Sequence, residues 1–424
     1  MHDPTRRDFL IHSAGALAAF SLVPEGVPVL SGHPSQARKV GVVGTGRQGR
    51  AIIDELRKIE SIDIAAVCDV IPGRVTTAIQ RAPGATGFAD HRALLDAAPD
   101  IDALFIATPT HRHREIAQDC IAGGRHVYCE APLAATIDDC RAIAAAANAV
   151  NTVFQSGFLA RSNPLYRRTW TLFRAGSLRE IASVYAQHHR KTSWRFPGST
   201  PELEAAANWR LDAEHSIGLA GELGAHQFDA VCWLLDTWPL RIDGTGAVRL
   251  HKDGRSIPDT IDARLFFEED LLFHYRASLV TSFGGVHEMI HGANASVRLA
   301  WDNGWLFKEA DAPTEGWEVY ATRQQFHNEE GIALVADATR LAAQGRLQEG
   351  IGLEHPPLYY ALLDFVRSMT ESTPVACTAD QGMHATVLGI LANQAVTSGT
   401  SVDVPAMTTR QPGPAGAAGG TRSP

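Results

Sequence analysis

Past its N-terminal segment, the chain has no apolar run long enough to cross a bilayer. It also lacks excess positive charge: the net charge is −9. That argues against a nucleic-acid partner, which needs a basic face, and against an electrostatic membrane anchor. Cysteine is scarce, with six in 424 residues, and no two stand at C-x-x-C spacing. A zinc cluster or a thioredoxin-like redox pair is therefore not expected. The cysteines fall at strand ends and on helices, where they read as small buried hydrophobes. Paired histidines occur at His188-His189, but neighbours on a strand point to opposite faces, so the pair is not expected to chelate a metal. No internal repeat is present. A hydrophobic share of 45% and a length sufficient for two domains describe an ordinary globular chain.

What the sequence does contain is one continuous nucleotide-binding instruction between residues 39 and 69. Lys39 to Val43 reads as a short buried strand that runs into Gly44-Thr45-Gly46-Arg47-Gln48-Gly49, a G-x-G-x-x-G turn. Arg50 to Ile59 follows as a helix with Ile52, Ile53, Leu56 and Ile59 on one face. A second strand, Ile62 to Val67, ends in Cys68-Asp69. Gly44 permits the tight turn, Gly46 lets the backbone approach a pyrophosphate, and Gly49 lets helix and sheet pack closely. The helix N-terminus offers free N–H groups to the phosphates. Asp69 stands twenty residues after Gly49, where a carboxylate accepts from a ribose diol and repels a 2′-phosphate. This favours NAD over NADP. Arg74 reads as a solvated helix charge. The alternative for Asp69 is a plain strand-end turn residue.

The alternation of strands (Ile101–Ala107, Arg125–Cys129, 152–157) with helices (Arg114–Ala122, Asp138–Val150) predicts a doubly wound parallel sheet over residues 38–157. Residues 158–406 change rhythm. Strands are expected at 179–189, 240–250, 260–267, 271–280, 289–299 and 305–308, with covering helices at 164–175 and 218–235 and later helices at 326–344 and 356–371. These describe an α+β domain with an open, mainly antiparallel sheet. Residues 1–37 read as a twin-arginine signal, with Thr5-Arg6-Arg7-Asp8-Phe9-Leu10 ahead of a modest apolar stretch. That implies export of the folded protein to the periplasm or another extracytoplasmic space. Residues 407–424, rich in Gly, Pro and Ala, read as a disordered tail.

Ligands bind such sheets beyond the carboxyl ends of the strands. That places Thr108, Pro109 and His113 after one strand, and Glu130 after the next, along the nucleotide. Each has a bland alternative, with His113 as a helix-terminal structural histidine. The acid–base candidate is the helix holding Glu222, His226 and Asp229. Glu222 and His226 are four apart and so share a face, where a carboxylate would orient the imidazole as a general base. Asp229 is the substitute base. Arg161, Lys191 and Arg210 are candidate substrate-binding cations.

In this order the motifs resemble the Gfo/Idh/MocA oxidoreductase family. The resemblance spans about residues 38–405 and rests on Gly44–Gly49, Asp69, Thr108-Pro109 with His113, Cys129-Glu130-Ala131-Pro132-Leu133, Arg161/Pro164, and Gly218–Asp229. The last looks like a D-x-x-x-H-x-x-D helix with Glu222 in place of the first Asp. The resemblance implies a Rossmann domain, a second sheet domain serving substrate and self-association, and NAD(P)-dependent chemistry on sugars or cyclitols. One departure stands out. The family usually has Glu-Lys-Pro where this chain has Glu130-Ala131-Pro132, and the missing lysine would bind the reacting hydroxyl. Three readings follow: His226 works alone, a different cation such as Lys191 or Arg161 reaches the site, or the activity is not simple dehydrogenation. The functions in view are oxidation of a sugar or polyol with tightly held NAD, redox-neutral glycoside hydrolysis or elimination through transient oxidation, and a non-catalytic nucleotide- or sugar-binding protein.

Overall fold

The computed structural model describes residues 37–198, 200–314, 318, 321–335 and 352–407. The twin-arginine segment and the Gly/Pro/Ala tail lie outside the described residues, apart from Ala37 and Met407 at their edges.

The first sheet has six parallel strands: β1 (Arg38–Val43), β2 (Ile62–Cys68), β3 (Thr86–Phe88), β4 (Ala103–Ile106), β5 (His126–Glu130) and β6 (Phe154–Gly157). Their order is β3-β2-β1-β4-β5-β6, the doubly wound Rossmann order, with the switch point between β1 and β4. Val40, Val42 and Val43 of β1 and all of β4 are buried, as strands covered on both faces require. One face meets α1 (Arg47–Leu56) and α2 (Pro72–Arg81). The other meets α4 (His113–Ala122) and α5 (Ile137–Asn148). The short α3 (His91–Ala97) starts at Asp90, whose side chain caps Arg92 and Ala93 N–H at 2.9 and 3.3 Å.

The second domain begins with α6 (Pro164–Arg174), β7 (Ile181–His189) and α7 (Pro201–Ala207). A π turn (Ala220–Gly224) leads into α8 (Ala225–Leu235). Strands β8 (Arg241–Ala247), β9 (Thr260–Phe266), β10 (Leu272–Ser278), β11 (Val286–Gly292), β12 (Ala295–Leu299), β13 (Gly304–Lys308), β14 (Arg323–Phe326) and β15 (Glu329–Ala333) complete its sheet. Every pairing is antiparallel except β7 with β10. Helices α6 and α8 cover one face, where Phe228 meets Phe273 and Tyr275 edge-on.

The chain then returns to the first domain. α9 (Pro357–Glu371) lays Leu362 and Phe365 on the Rossmann sheet, with Phe365 5.3 Å from Phe105. α10 (Ala379–Ser398) packs on α5, β6 and α8 and is followed by β16 (Val402–Asp403). A capping box at Thr378 and Gln381 starts α10, and Gly399 at φ 66° ends it.

Two segments differ from the sequence reading. The single strand expected over 289–299 is the β11–β12 hairpin, turning at Ala293-Asn294. The described part of the helix expected over 326–344 contains strands: Glu329–Ala333 pairs with β13 and β14. The remainder of that helix lies outside the described residues.

Candidate active site

The glycine turn is shaped by contacts that tolerate no side chain. Gly44 has φ +88°, and a Cβ on it would stand 2.6 Å from the backbone of Ala107 and Thr108. A Cβ on Gly49 would stand 1.8 Å from the Gly44 oxygen. Gly46 is different: its Cβ would meet only Arg74 Nη1, at 3.8 Å. The space over Gly46 is therefore open, and α1 starts there with no side-chain cap and no acid in its first turn. Bare N–H donors beside a vacant glycine face fit a dinucleotide pyrophosphate. The cradle suits the cofactor that the motif implies.

Asp69 braces this turn. Its carboxylate accepts from Thr45 N–H at 2.8 Å, Thr45 Oγ1 at 3.3 Å and Ile71 N–H at 2.9 Å, which leaves capacity for one further donor. Arg74, read from sequence as a solvated helix charge, lies 3.9 Å from Asp69. It stands beside the cradle because α2 starts right after the strand end. Gln48 reaches across to Glu130, its amide donating at 3.0 Å. Burial pushes the Glu130 carboxyl up to about 7, against the pull of Gln48.

His113 occupies a structural position. It is buried, with Nδ1 3.0 Å from the Pro132 carbonyl and Nε2 2.9 Å from the Thr108 carbonyl. Both ring nitrogens lie against loop carbonyls and the neutral ring donates to one of them, so the side chain sits between the two strand-end loops and turns neither nitrogen to a cofactor. Thr108 and Pro109 lie on the first of these loops. The Ala131–Pro132 peptide on the second is cis.

His226 sits at the first turn of α8, between Phe158 (ring centroids 5.4 Å apart) and Trp301 (6.3 Å). Its Nδ1 is buried without a partner. Burial lowers its pKa to about 4, with the Ala131 carbonyl opposing the shift. The ring is therefore neutral at neutral pH and carries an unshared lone pair, as a general base needs. His188, at the end of β7, is lowered to about 4 by burial and next by the charge of His226. The two imidazoles are thus near enough to interact electrostatically.

Glu222 does not orient His226. Its Oε2 accepts from Thr110 Oγ1 and from Arg210 Nε, both at 3.3 Å, while Oε1 is buried and unpartnered. The expectation of a shared face assumed 3.6 residues per turn. The π turn over Ala220–Gly224 departs from that period, but what separates Glu222 from His226 is its own pair of partners, Thr110 and Arg210. Asp229 and Arg161 are also placed differently from their expected roles. They form a buried ion pair, with guanidinium–carboxylate distances of 2.7, 3.0 and 3.1 Å and side chains 0% and 1% exposed. Each satisfies the other, so Asp229 is no spare base and Arg161 does not reach toward substrate. Lys191 is exposed just past β7. All six cysteines are buried and unpaired.

Residues 38–158 match the model of the oxidoreductase family with an NAD-binding Rossmann fold, and residues 166–298 match the GFO/IDH/MocA C-terminal domain. Together they span more than half of the chain.

The chain belongs to the Gfo/Idh/MocA oxidoreductase family.

Membership makes it an NAD(P)-dependent oxidoreductase whose first domain binds NAD. Inositol 2-dehydrogenase 1 of Saccharopolyspora erythraea is 28% identical over 264 residues, covering 58% of this chain and 73% of that protein. Inositol 2-dehydrogenase of Acidothermus cellulolyticus is 26% identical over 268 residues, covering 62% and 72%. Among solved structures, an oxidoreductase domain protein from Kribbella flavida superposes with a TM-score of 0.71 at 20% identity, over 88% of this chain and all of that one. Levoglucosan dehydrogenase in complex with NADH gives 0.71 at 19%, with the same coverage. At these identities the structural likeness speaks for the fold. This Gfo/Idh/MocA member has no helix among its described residues long and apolar enough to cross a membrane.

Proposed function

We propose that this protein oxidises a secondary hydroxyl of a sugar or polyol, with His226 as the general base and tightly held NAD. NAD, when bound, supplies the hydride acceptor. The protein's own residues do the rest. Gly44, Gly46, Gly49 and the open N-terminus of α1 hold the pyrophosphate. Asp69 and Glu130 would accept from the cofactor's ribose hydroxyls, and His226 takes the proton of the substrate hydroxyl. The observation that carries this reading is the buried, unpartnered Nδ1 of His226, neutral in a cleft with Phe158 and Trp301. The inositol dehydrogenases among its relatives support a polyol or cyclic sugar as substrate. The test is to load the protein with NAD and follow the reduced-nicotinamide absorbance with myo-inositol, levoglucosan and common hexoses. A rise with any of them supports the reading. NAD bound with no rise across the panel removes simple dehydrogenation.

A second reading is favoured by one observation. Ala131 leaves out the lysine of the family motif, and a second histidine, His188, lies close enough to His226 for their charges to interact. Two neutral imidazoles suit transient oxidation, in which one takes the hydroxyl proton and the other the proton beside the new ketone. The leaving alkoxide departs with a proton from an imidazolium, water adds across the resulting enone (or does not, in elimination), and hydride and proton return to the carbonyl, with no net redox change. Release of aglycone from an aryl glycoside without net cofactor reduction would select this reading.

Export by the Thr5–Leu10 twin-arginine motif and self-association complete the proposal. Cell fractionation of the full chain against an Arg6→Lys/Arg7→Lys variant tests the first, and light scattering the second.

A further inference from the structure

Resting on the dehydrogenase reading, we propose that Arg210 is the positioning residue that supplies the positive charge this cleft lacks at Ala131. It holds Glu222 as a carboxylate, so that the open Oε1 accepts a hydrogen bond from a substrate hydroxyl.

Arg210 is held in place from several sides. It belongs to a short 3-10 turn (Trp209–Leu211) anchored by Asn208, whose buried amide donates to the carbonyls of Phe196 and Glu204 and accepts from Phe196 N–H. The guanidinium lies over the Trp209 ring at 4.6 Å and the Trp194 ring at 5.8 Å. Trp194 has φ 58°, a left-handed backbone unusual for a bulky residue. Two indole faces fix the cation and displace part of its water. The Nε hydrogen bond to Glu222 then points the charge into the cleft.

Glu222 shows what that charge is for. One oxygen is occupied by Thr110 and Arg210, and the other is buried with no partner. A buried acceptor without a donor is costly unless a ligand satisfies it. Ionised, this oxygen accepts from a hydroxyl; protonated, it loses that capacity on one side. Burial pushes the Glu222 carboxyl up, and the Arg210 charge is the largest influence against it, followed by the Thr110 and Arg210 hydrogen bonds and then the Ile217 backbone N–H, which lies near the carboxyl without forming a hydrogen bond of ordinary geometry. Arg210 is the charged side chain against Glu222. The α10 and β10 faces packed on the same turn bring Gly389 and the ring of Tyr275. The same guanidinium also lowers Glu130, the residue next to Ala131. The guanidinium thus reaches the Glu130 carboxyl, and Arg47 lies within the electrostatic range of both Arg210 and Arg190.

The test uses Arg210→Gln, which keeps the length and a donor but removes the charge, together with Arg210→Lys and Glu222→Gln. An opposite charge at this range lowers a carboxyl pKa by about one to three units; Arg210 is 42% exposed, so the lower end applies. Infrared difference spectra between the parent protein and Glu222→Gln isolate the Glu222 carboxyl band without any substrate. Arg210→Gln should raise its midpoint by about one pH unit or more, and Arg210→Lys by clearly less. With a polyol that the parent oxidises, Arg210→Gln should lose about tenfold in kcat/KM near neutral pH. Raising the pH should restore most of that loss, and NAD affinity should be unchanged. A Glu222 midpoint that does not move, or a loss in kcat/KM that is independent of pH, would overturn the proposal. If no polyol is oxidised, the dehydrogenase reading fails, while the infrared midpoint still decides the role of Arg210.

Discussion

The Arg161–Asp229 pair makes the sharpest separation between a catalytic and an architectural carboxylate. Asp229→Ala leaves the Arg161 guanidinium buried beside Trp233, whose ring it overlies at 5.6 Å, without the three charge-assisted bonds of 2.7 to 3.1 Å. Arginine does not deprotonate in proteins, so the charge cannot be shed. Breaking one side of a buried pair costs about 3–5 kcal/mol, a large share of the roughly 5–15 kcal/mol that holds a typical domain. Replacing both partners by apolar residues, as in Arg161→Met/Asp229→Leu, removes the stranded charge and should recover most of the loss. Urea unfolding of the three proteins measures the effect, with a common slope confirming that only stability has changed. The folded fraction of the double variant should keep its turnover. If Asp229→Ala unfolds like the parent yet is inactive, Asp229 is part of the chemistry and the assignment of this pair to architecture is wrong.

The glycine turn yields a contrast between two neighbours. Gly46→Ala has room for its methyl and an ordinary φ of −62°, so thermal stability should stay within about 0.5 kcal/mol while calorimetry shows NAD affinity falling at least about tenfold. Gly49→Ala, with a methyl 1.8 Å from a backbone oxygen, should lower the melting temperature itself; equal stability in the two variants would refute the packing described. His226 yields a pH prediction. An unfolded imidazole takes its proton near 6.5, whereas the folded one does so at about 4. The unfolded state therefore binds more protons in that window, and stability falls as the pH drops through it, by at most about 3 kcal/mol from this residue. Histidine NMR, assigned with His226→Asn, should find the ring neutral down to about pH 5, and a midpoint near 6.5 would contradict its burial.

The sequence carried most of the first domain because its signals are local. A strand, a glycine turn, a helix and an acid occupy adjacent positions, and each has one physical reason to be there. Further local signals lie in Pro72 at the first turn of α2, Asp90 capping α3, and the Gly292-Ala293-Asn294 turn that splits β11 from β12. Strands β14 and β15 are harder: β14 is the exposed edge of the sheet, and β15 opens with exposed Glu329 and Glu330, so neither shows a strong alternating pattern. The site residues were found by type and missed by partner. Arg161 meets Asp229 across 68 positions, and Thr110 meets Glu222 across 112. Such pairs are products of tertiary packing and leave no trace in spacing. Glu222 and His226 share one helix, but the neighbours each takes come from other segments: Thr110 and Arg210 for Glu222, Phe158 and Trp301 for His226.

The most direct test compares His226→Ala with the parent protein, both loaded with NAD and mixed with the best polyol from the panel, by following reduced-nicotinamide absorbance in a single turnover. The parent should develop the band, and His226→Ala should do so at least about a hundredfold more slowly with its NAD affinity intact. Equal rates in the two proteins would show that the proton leaves by another route and that His226 is not the base.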